Sequence, residues 1–208
     1  MKKTLFAFIA SASLMLAGAA NAGVVGFEDV ATDGDFASLS DISPYAGLTF
    51  GDFWVAGDTS IDGGPYGNAA HGGTHFAMNS FGEDALTISS ATPFNFAGAW
   101  FAVPDGSADK ASWIAISAYD AGNNLIGTTG QVAIGSDFVW AAAPFNSVSS
   151  LTITRDTGWF AMDDFTTVAS APPTGAVPEP ESPLLLGAGV FGLILGRARR
   201  RKAPASAA

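Results

Sequence analysis

The 208-residue chain contains no cysteine. That excludes disulfides, thiol nucleophiles, thiolate zinc sites and iron–sulfur ligation together. Basic residues are nearly missing from its middle. Between Gly23 and Ala176 only Lys110 and Arg155 stand against seventeen acidic residues, an excess of fifteen negative charges. Such a surface repels phosphate backbones, which argues against nucleic acid as a partner. Long apolar runs are absent too. The two hydrophobic stretches, Leu5 to Leu16 and Leu184 to Leu195, would each cover about 18 Å as a helix, against ~30 Å of bilayer hydrocarbon. No stretch of helical length carries a 3.6-residue apolar period, although Phe36–Ile42 could form a single turn. Catalytic signatures are missing: there is no G-x-S-x-G elbow, no H-E-x-x-H and no phosphate-binding glycine loop.

Both ends of the chain read as processing signals. Met1-Lys2-Lys3 is a positive n-region, Leu5–Leu16 an apolar h-region, and Ala20-Asn21-Ala22 a small-x-small cleavage site. Residues 1–22 are therefore expected to be a signal peptide cut by signal peptidase, with the mature chain starting at Gly23. Residues 23–168 form one domain, large enough for a real core. A Pro/Ala-rich spacer, 169–177, follows it. The tail then combines Pro178-Glu179-Pro180, the apolar run, and a knot of Arg197, Arg199, Arg200, Arg201 and Lys202. The arginines resist translocation, so this short segment is expected to insert only transiently in the inner membrane. Residues 203–208 are expected to form a disordered end.

The domain reads as β throughout. Candidate strands are short, rich in Val, Ile, Thr, Phe and Trp, and separated by turn residues. They are Val24–Glu28, Leu48–Val55, Ala85–Ser89, Phe94–Val103, Ser112–Ala121, Leu125–Ile134, Phe138–Ala142, Ser150–Arg155 and Trp159–Val168. Asp120-Ala121-Gly122-Asn123-Asn124 supplies a hairpin turn. On the arm before it, Ile114, Ile116 and Ala118 alternate with Trp113, Ser117 and Tyr119. Leu151 and Ile153 alternate with Ser150, Thr152 and Thr154 in the same way. Many short strands with one polar face predict an all-β fold, an antiparallel β-sandwich of jelly-roll type. A signal helix is expected before it and a short hydrophobic helix after it.

Three groups of residues could carry chemistry. Glu28 at the exit of the first strand and Asp163 and Asp164 in the last would meet if the terminal strands lie together. With the loop acids Asp33 and Asp35 and backbone carbonyls they could hold a structural Ca²⁺, a cation that prefers hard oxygen ligands. Alternatively, all are solvated edge charges. In a regular strand Asp163 and Asp164 point to opposite faces, so only one could look inward. The second group is His71 and His75, spaced i, i+4. Gly72-Gly73 between them breaks any helix, and only a folded-back loop bringing Asp62 and Glu83 would make a metal site; the other reading is a glycine-rich loop with incidental histidines. The third is the aromatic set Trp54, Tyr66, Trp100, Trp113, Tyr119, Trp140 and Trp159. Sugar rings stack their C–H faces on such side chains, and Trp113 with Tyr119, or Trp54 with Tyr66, are the candidates for a sugar-binding surface. Core packing is the rival role for each.

The tail resembles the PEP-CTERM sorting signal of Gram-negative bacteria, with its three parts in order over 178–202. The resemblance implies recognition by a membrane-embedded exosortase, processing near the Pro-Glu-Pro, and delivery to the cell surface or outside the cell in a host that makes exopolysaccharide. The domain is similar to galactose-binding-like β-sandwiches and carbohydrate-binding modules. The combined expectation is a non-catalytic, exported surface or biofilm-matrix protein that binds polysaccharide through exposed aromatics. The alternatives are a structural or adhesive matrix protein with no defined ligand, and a polysaccharide hydrolase, which would need two facing carboxylates.

Overall fold

The structure is a computed structural model that describes residues 23–61, 65–80 and 84–169. The segments expected to be a signal peptide, flanking helices, a spacer and a sorting tail lie outside these residues, save Ala169. Within them, eleven strands are joined by antiparallel pairing: β1 (Gly23–Val25), β2 (Ala37–Ser38), β3 (Thr49–Phe50), β4 (Trp54–Asp58), β5 (His75–Asn79), β6 (Ala85–Ala102), β7 (Trp113–Tyr119), β8 (Leu125–Thr128), β9 (Val132–Ala133), β10 (Val139–Arg155) and β11 (Ala161–Val168). Their order is β2-β4-β5-β11-β6-β10-β7-β8, with β1 on β11, β3 on β6 and β9 on β7.

Two long strands make two layers out of one sheet. β6 and β10 pair along their lengths, with register shifts between Ala142 and Phe145, Phe145 and Val148, and Val148 and Ser150. Each shift is a bulge, and bulges bend and twist a sheet. The Ala85–Ser90 half of β6 with Ser150–Arg155 of β10 joins β3, β7, β8 and β9, while the other halves join β1, β2, β4, β5 and β11. The core draws on both: Leu86, Ile88, Ile114, Ile116, Ala118, Leu151 and Ile153 from one layer, and Trp54, Ala77, Phe96, Phe101, Met162 and Phe165 from the other. Each fully buried Leu, Ile, Phe or Met among them contributes roughly 1.5–3 kcal/mol of transfer free energy.

The period-2 readings hold where one face is buried. Ile114, Ile116 and Ala118 are buried and alternate with half-buried Trp113, Ala115, Ser117 and Tyr119. Ile153 pairs with both Leu86 and Ile116, and Leu151 with Ile88 and Ala118, so the alternation runs as continuous rows across three strands. In the hairpin, Asp120 Oδ1 accepts the Gly122 and Asn124 N–H groups, and Asn123 adopts φ 60°.

Other boundaries differ. Ala85–Ser89 and Phe94–Val103 form one strand, as do Phe138–Ala142 and Ser150–Arg155, because the bulges interrupt the alternation without ending the pairing. Leu48–Val55 and Leu125–Ile134 each divide in two. Phe36–Ile42 is no helical turn; Ala37–Ser38 pairs with β4 instead. β5 was invisible in the glycine-rich stretch. Its run Phe-Ala-Met does not alternate because both its faces are covered: Ala77 joins the main core, and Phe76 and Met78 join a second cluster with Ala69 and Ala161. Residues 65–71 lie over this outer face of the sheet. The Asn68 amide pins them, donating to the Val103 and Ser136 carbonyls at 3.0 Å.

Candidate functional site

The same outer face carries a group of aromatic and acidic side chains. Register fixes it: Asp163 lies opposite Trp100, and Trp100 opposite Trp140, while neighbouring Met162 and Phe101 face the core. After Asp163 the pairing jumps to Thr166 opposite Gly98, and Asp164 takes φ 48°. This bulge overturns the opposite-face expectation for the two aspartates, since both meet the loop over the outer face. The inserted residue breaks the period, and Phe165 still reaches the core.

Asp163 is fully buried. Its Oδ2 accepts the His71 N–H (2.8 Å) and the Gly72 N–H (2.9 Å), and its Oδ1 accepts the Asp164 N–H (2.6 Å). Burial pushes its carboxyl up to about 6, against the lowering effect of the three N–H donors and with a further push from the Asp164 charge. Asp164 Oδ2 pairs with His71 Nδ1 at 2.7 Å. Glu28 arrives from the other end of the domain, and its Oε1 accepts the Thr74 and His75 N–H groups at 2.9 Å each. Its Oε2 lies 3.3 Å from His75 Nδ1. Desolvation raises the Glu28 carboxyl, but the two N–H groups and the His75 side chain together hold it below its ordinary value. Gly73 makes this approach possible. It sits at φ 63°, and a Cβ there would lie 2.3 Å from Glu28 Oε1.

The loop so fixed presents His71 to the aromatics. Its ring stacks on Trp100 (centroids 4.1 Å apart, 13° between planes), with Phe138 edge-on at 5.3 Å. Trp140 stands 5.6 Å from Trp100, tilted by 58°. It lies against Gly98, which has φ 148° and where a Cβ would come within 2.7 Å of the indole. Both indoles are thus braced and half-buried. With Val24, Asp164 and Thr166 they border a shallow depression of about 670 Å³.

The sugar-binding candidates read from sequence do not gather. Trp54 is a correction: it is fully buried, and its Nε1 donates to the Thr87 carbonyl, so it offers no face to solvent. Tyr66 belongs to the second cluster, edge-on to Phe36 and stacked over Phe76, beside a separate cleft of about 260 Å³. Trp113 and Tyr119 do sit on the outward side of β7, but at its two ends. Six residues of strand put them roughly 20 Å apart, too far for one ring. Trp100 and Trp140 carry the surface instead. One signal was available: Trp100 and Phe101 are adjacent in a strand, so one of them must point away from the core.

Of the calcium candidates, Glu28, Asp163 and Asp164 converge on one loop, whereas Asp33 and Asp35 sit on an exposed turn where Asp35 accepts the Phe36 N–H. Among the described residues no three His, Asp or Glu side chains are placed to hold a metal. His71 and His75 each face their own carboxylate, and Asp62 and Glu83 lie outside the described residues, as do Ala20, Ala22, Pro178, Glu179, Pro180 and the arginine cluster.

Several solved structures resemble this chain. A DUF4465 family protein from Bacteroides caccae is 14% identical, with 72% of this chain and 100% of that one covered and a TM-score of 0.49. TmCBM61, solved in complex with β-1,4-galactotriose, is 14% identical over 70% of this chain and 94% of its own, with a TM-score of 0.40. The CBM22-1 xylan-binding domain of Paenibacillus barcinonensis Xyn10C is 11% identical over 66% and 94%, with a TM-score of 0.38. No curated protein sequence matches the chain. Residues 176–201 match the PEP-CTERM protein-sorting motif, so the Pro-Glu-Pro, apolar run and arginine cluster at the end of this chain are a PEP-CTERM sorting signal.

Proposed function

We propose that this is an exported, exosortase-processed protein of the cell surface or extracellular matrix, and that its β-sandwich binds polysaccharide on the outer-face surface built from Trp100 and Trp140. The sorting motif at 176–201 supports export and processing. One observation carries the binding role: two neighbouring indoles, each braced from one side by His71 or Gly98, border an open depression with a carboxylate and a hydroxyl at its edge. Sugar rings place apolar C–H faces on such indoles while short polar groups take their hydroxyls. The depression is open rather than enclosed, which suits a chain lying across it. The burial of Asp163 supports a non-catalytic role. Hydrolysis needs two carboxyl groups flanking the bond, and both Asp163 oxygens are filled by backbone N–H groups beneath the loop.

The test is a pull-down and calorimetric titration of the full chain against neutral, anionic and cationic polysaccharides. Saturable binding to at least one is expected, weakened at least tenfold by Trp100→Ala or Trp140→Ala. Binding to none, or binding indifferent to both substitutions, overturns the assignment in favour of a matrix component with no defined ligand. Turnover of any polymer would instead make it a hydrolase.

A further inference from the structure

We infer that the polysaccharide recognised at this surface is cationic: a chain of 2-amino-2-deoxy sugars in which part of the amino groups are free rather than acylated. This rests on the binding role proposed for Trp100 and Trp140 and names the ligand class of that site. The first ground is local. Asp164 borders the depression with its side chain 27% exposed. His71 takes its Oδ2, and among the described residues its Oδ1 makes no hydrogen bond. An ammonium group on a sugar lying over the indoles would meet that oxygen and the electron-rich ring faces together. Indole is the best aromatic partner for a cation, and a carboxylate strengthens hydrogen bonds from a charged donor.

The second ground is the field around the site. Among the described residues no Lys or Arg lines the depression. The only two between Gly23 and Ala176 face acids elsewhere, Lys110 Nζ at 4.0 Å from Asp105 and Arg155 at 3.8 Å from Asp84. Exposed Asp137 adjoins Phe138, which touches His71. With fifteen excess negative charges on the domain, a uronate polymer is repelled before it reaches the indoles, whereas a polyammonium chain is drawn in and its on-rate raised. A neutral chain gains nothing from the field and meets Asp164 only through hydroxyl hydrogen bonds, without an ion pair. Of the three kinds of polymer, only the cationic one uses every feature of the site.

The discriminating measurement compares two hexamers of β-1,4-linked glucosamine, one fully N-acetylated and one with free amino groups, titrated into the full chain at mildly acidic pH, where the sugar amines are protonated. The free-amine hexamer should bind roughly tenfold tighter, the size expected of one cation–π contact with a partly screened ion pair. That preference should shrink as salt rises. Asp164→Asn should remove most of the preference, weakening the free-amine hexamer far more than the acetylated one, since Asn tolerates the same left-handed backbone and its amide oxygen still accepts a hydroxyl. Trp100→Ala should weaken both hexamers. Equal or weaker binding of the amine form overturns the inference, as does a preference that survives Asp164→Asn. A free-amine affinity that Trp100→Ala leaves unchanged also overturns it, because it would be unspecific adsorption to an acidic surface. If neither hexamer binds but another polymer does so through Trp100, the cationic ligand class is wrong and the binding role stands. If no polymer binds, both fall.

Discussion

Replacing Asp163 with asparagine tests the loop beneath the aromatic surface, and the outcome has a sign that depends on pH. At neutral pH the wild-type protein holds a buried carboxylate whose folded value is raised to about 6, against an unfolded value near 3.9. A group raised on folding contributes stability that is fully present below the unfolded value and lost as pH rises through the folded one. Two units correspond to about 3 kcal/mol, so the wild type should lose about that much stability between roughly pH 4 and pH 7 through this single group. The amide cannot ionise and escapes the loss. It has a cost of its own, since only one of its two atoms can accept. Its oxygen keeps the His71 and Gly72 N–H groups, and its NH₂ then faces the Asp164 N–H now bonded at 2.6 Å, at about 1–3 kcal/mol. The variant should therefore be clearly less stable than wild type near pH 4 and nearly as stable, or more so, near pH 7. The other shifted acids, Glu28, Asp58, Asp120 and Asp156, are all lowered. Their contributions are lost as pH falls, below about pH 4.5. Urea unfolding of both proteins at half-unit steps between about pH 4.5 and 7.5 gives the difference directly. A difference that is flat across that range refutes the claim that burial outweighs the three N–H donors.

Three further substitutions or additions probe the surrounding geometry. Gly73→Ala would force a non-glycine residue to φ 63° and drive Glu28 off the Thr74 and His75 N–H groups; urea unfolding should show a loss of about 2–4 kcal/mol. Gly98→Ala would place a Cβ 2.5 Å from the Ala141 carbonyl and 2.7 Å from the Trp140 ring, so polysaccharide affinity should fall at least as far as in Trp140→Ala, and unchanged affinity would show that the braced position of Trp140 is irrelevant. Calcium held by Glu28, one carboxylate from Asp163 or Asp164, and backbone carbonyls stands as a proposal of its own: added Ca²⁺ should raise Tm and EDTA lower it, and a Tm indifferent to both dismisses the ion.

What could be read from sequence depended on how regular the local environment is. β7 and the end of β10 were legible because one face of each is buried and the other open, so Ile114, Ile116, Leu151 and Ile153 mark their own period. The Asp120–Asn124 turn was legible because its chemistry is local: one carboxylate closes it. β5 was not, since Phe76, Ala77 and Met78 are buried on both faces and leave no period to see. The site was half legible. That Glu28 and the two aspartates would come to the same region followed from the terminal strands lying side by side: β1 does pair with β11, and the three reach one loop at separate N–H groups. That Asp163 and Asp164 would both reach one loop did not follow, because a bulge carries no reliable mark in a single sequence. Choosing among the tryptophans failed for a similar reason. Whether an indole faces in or out depends on its partner across the sheet, and Trp54 and Trp100 look alike until their neighbours are known.

The bulge and the loop also tie the stability of the fold to the shape of the aromatic surface. His71 is held through its backbone by Asp163, through its ring nitrogen by Asp164, and through its ring face by Trp100. Two strands, β6 and β11, therefore share one imidazole as a common contact at the edge of the depression. His71→Ala keeps the backbone bonds to Asp163 and removes only the ring. It should leave stability within about 1 kcal/mol, yet free one face of Trp100 and the second oxygen of Asp164. If the stacked imidazole merely braces the indole, polysaccharide affinity drops as Trp100 becomes mobile. If it blocks a face the ligand could use, affinity rises. The braced geometry favours the drop, because an indole already held in place loses less side-chain entropy when a sugar stacks on it, and a rise in affinity would overturn that account of why His71 lies where it does.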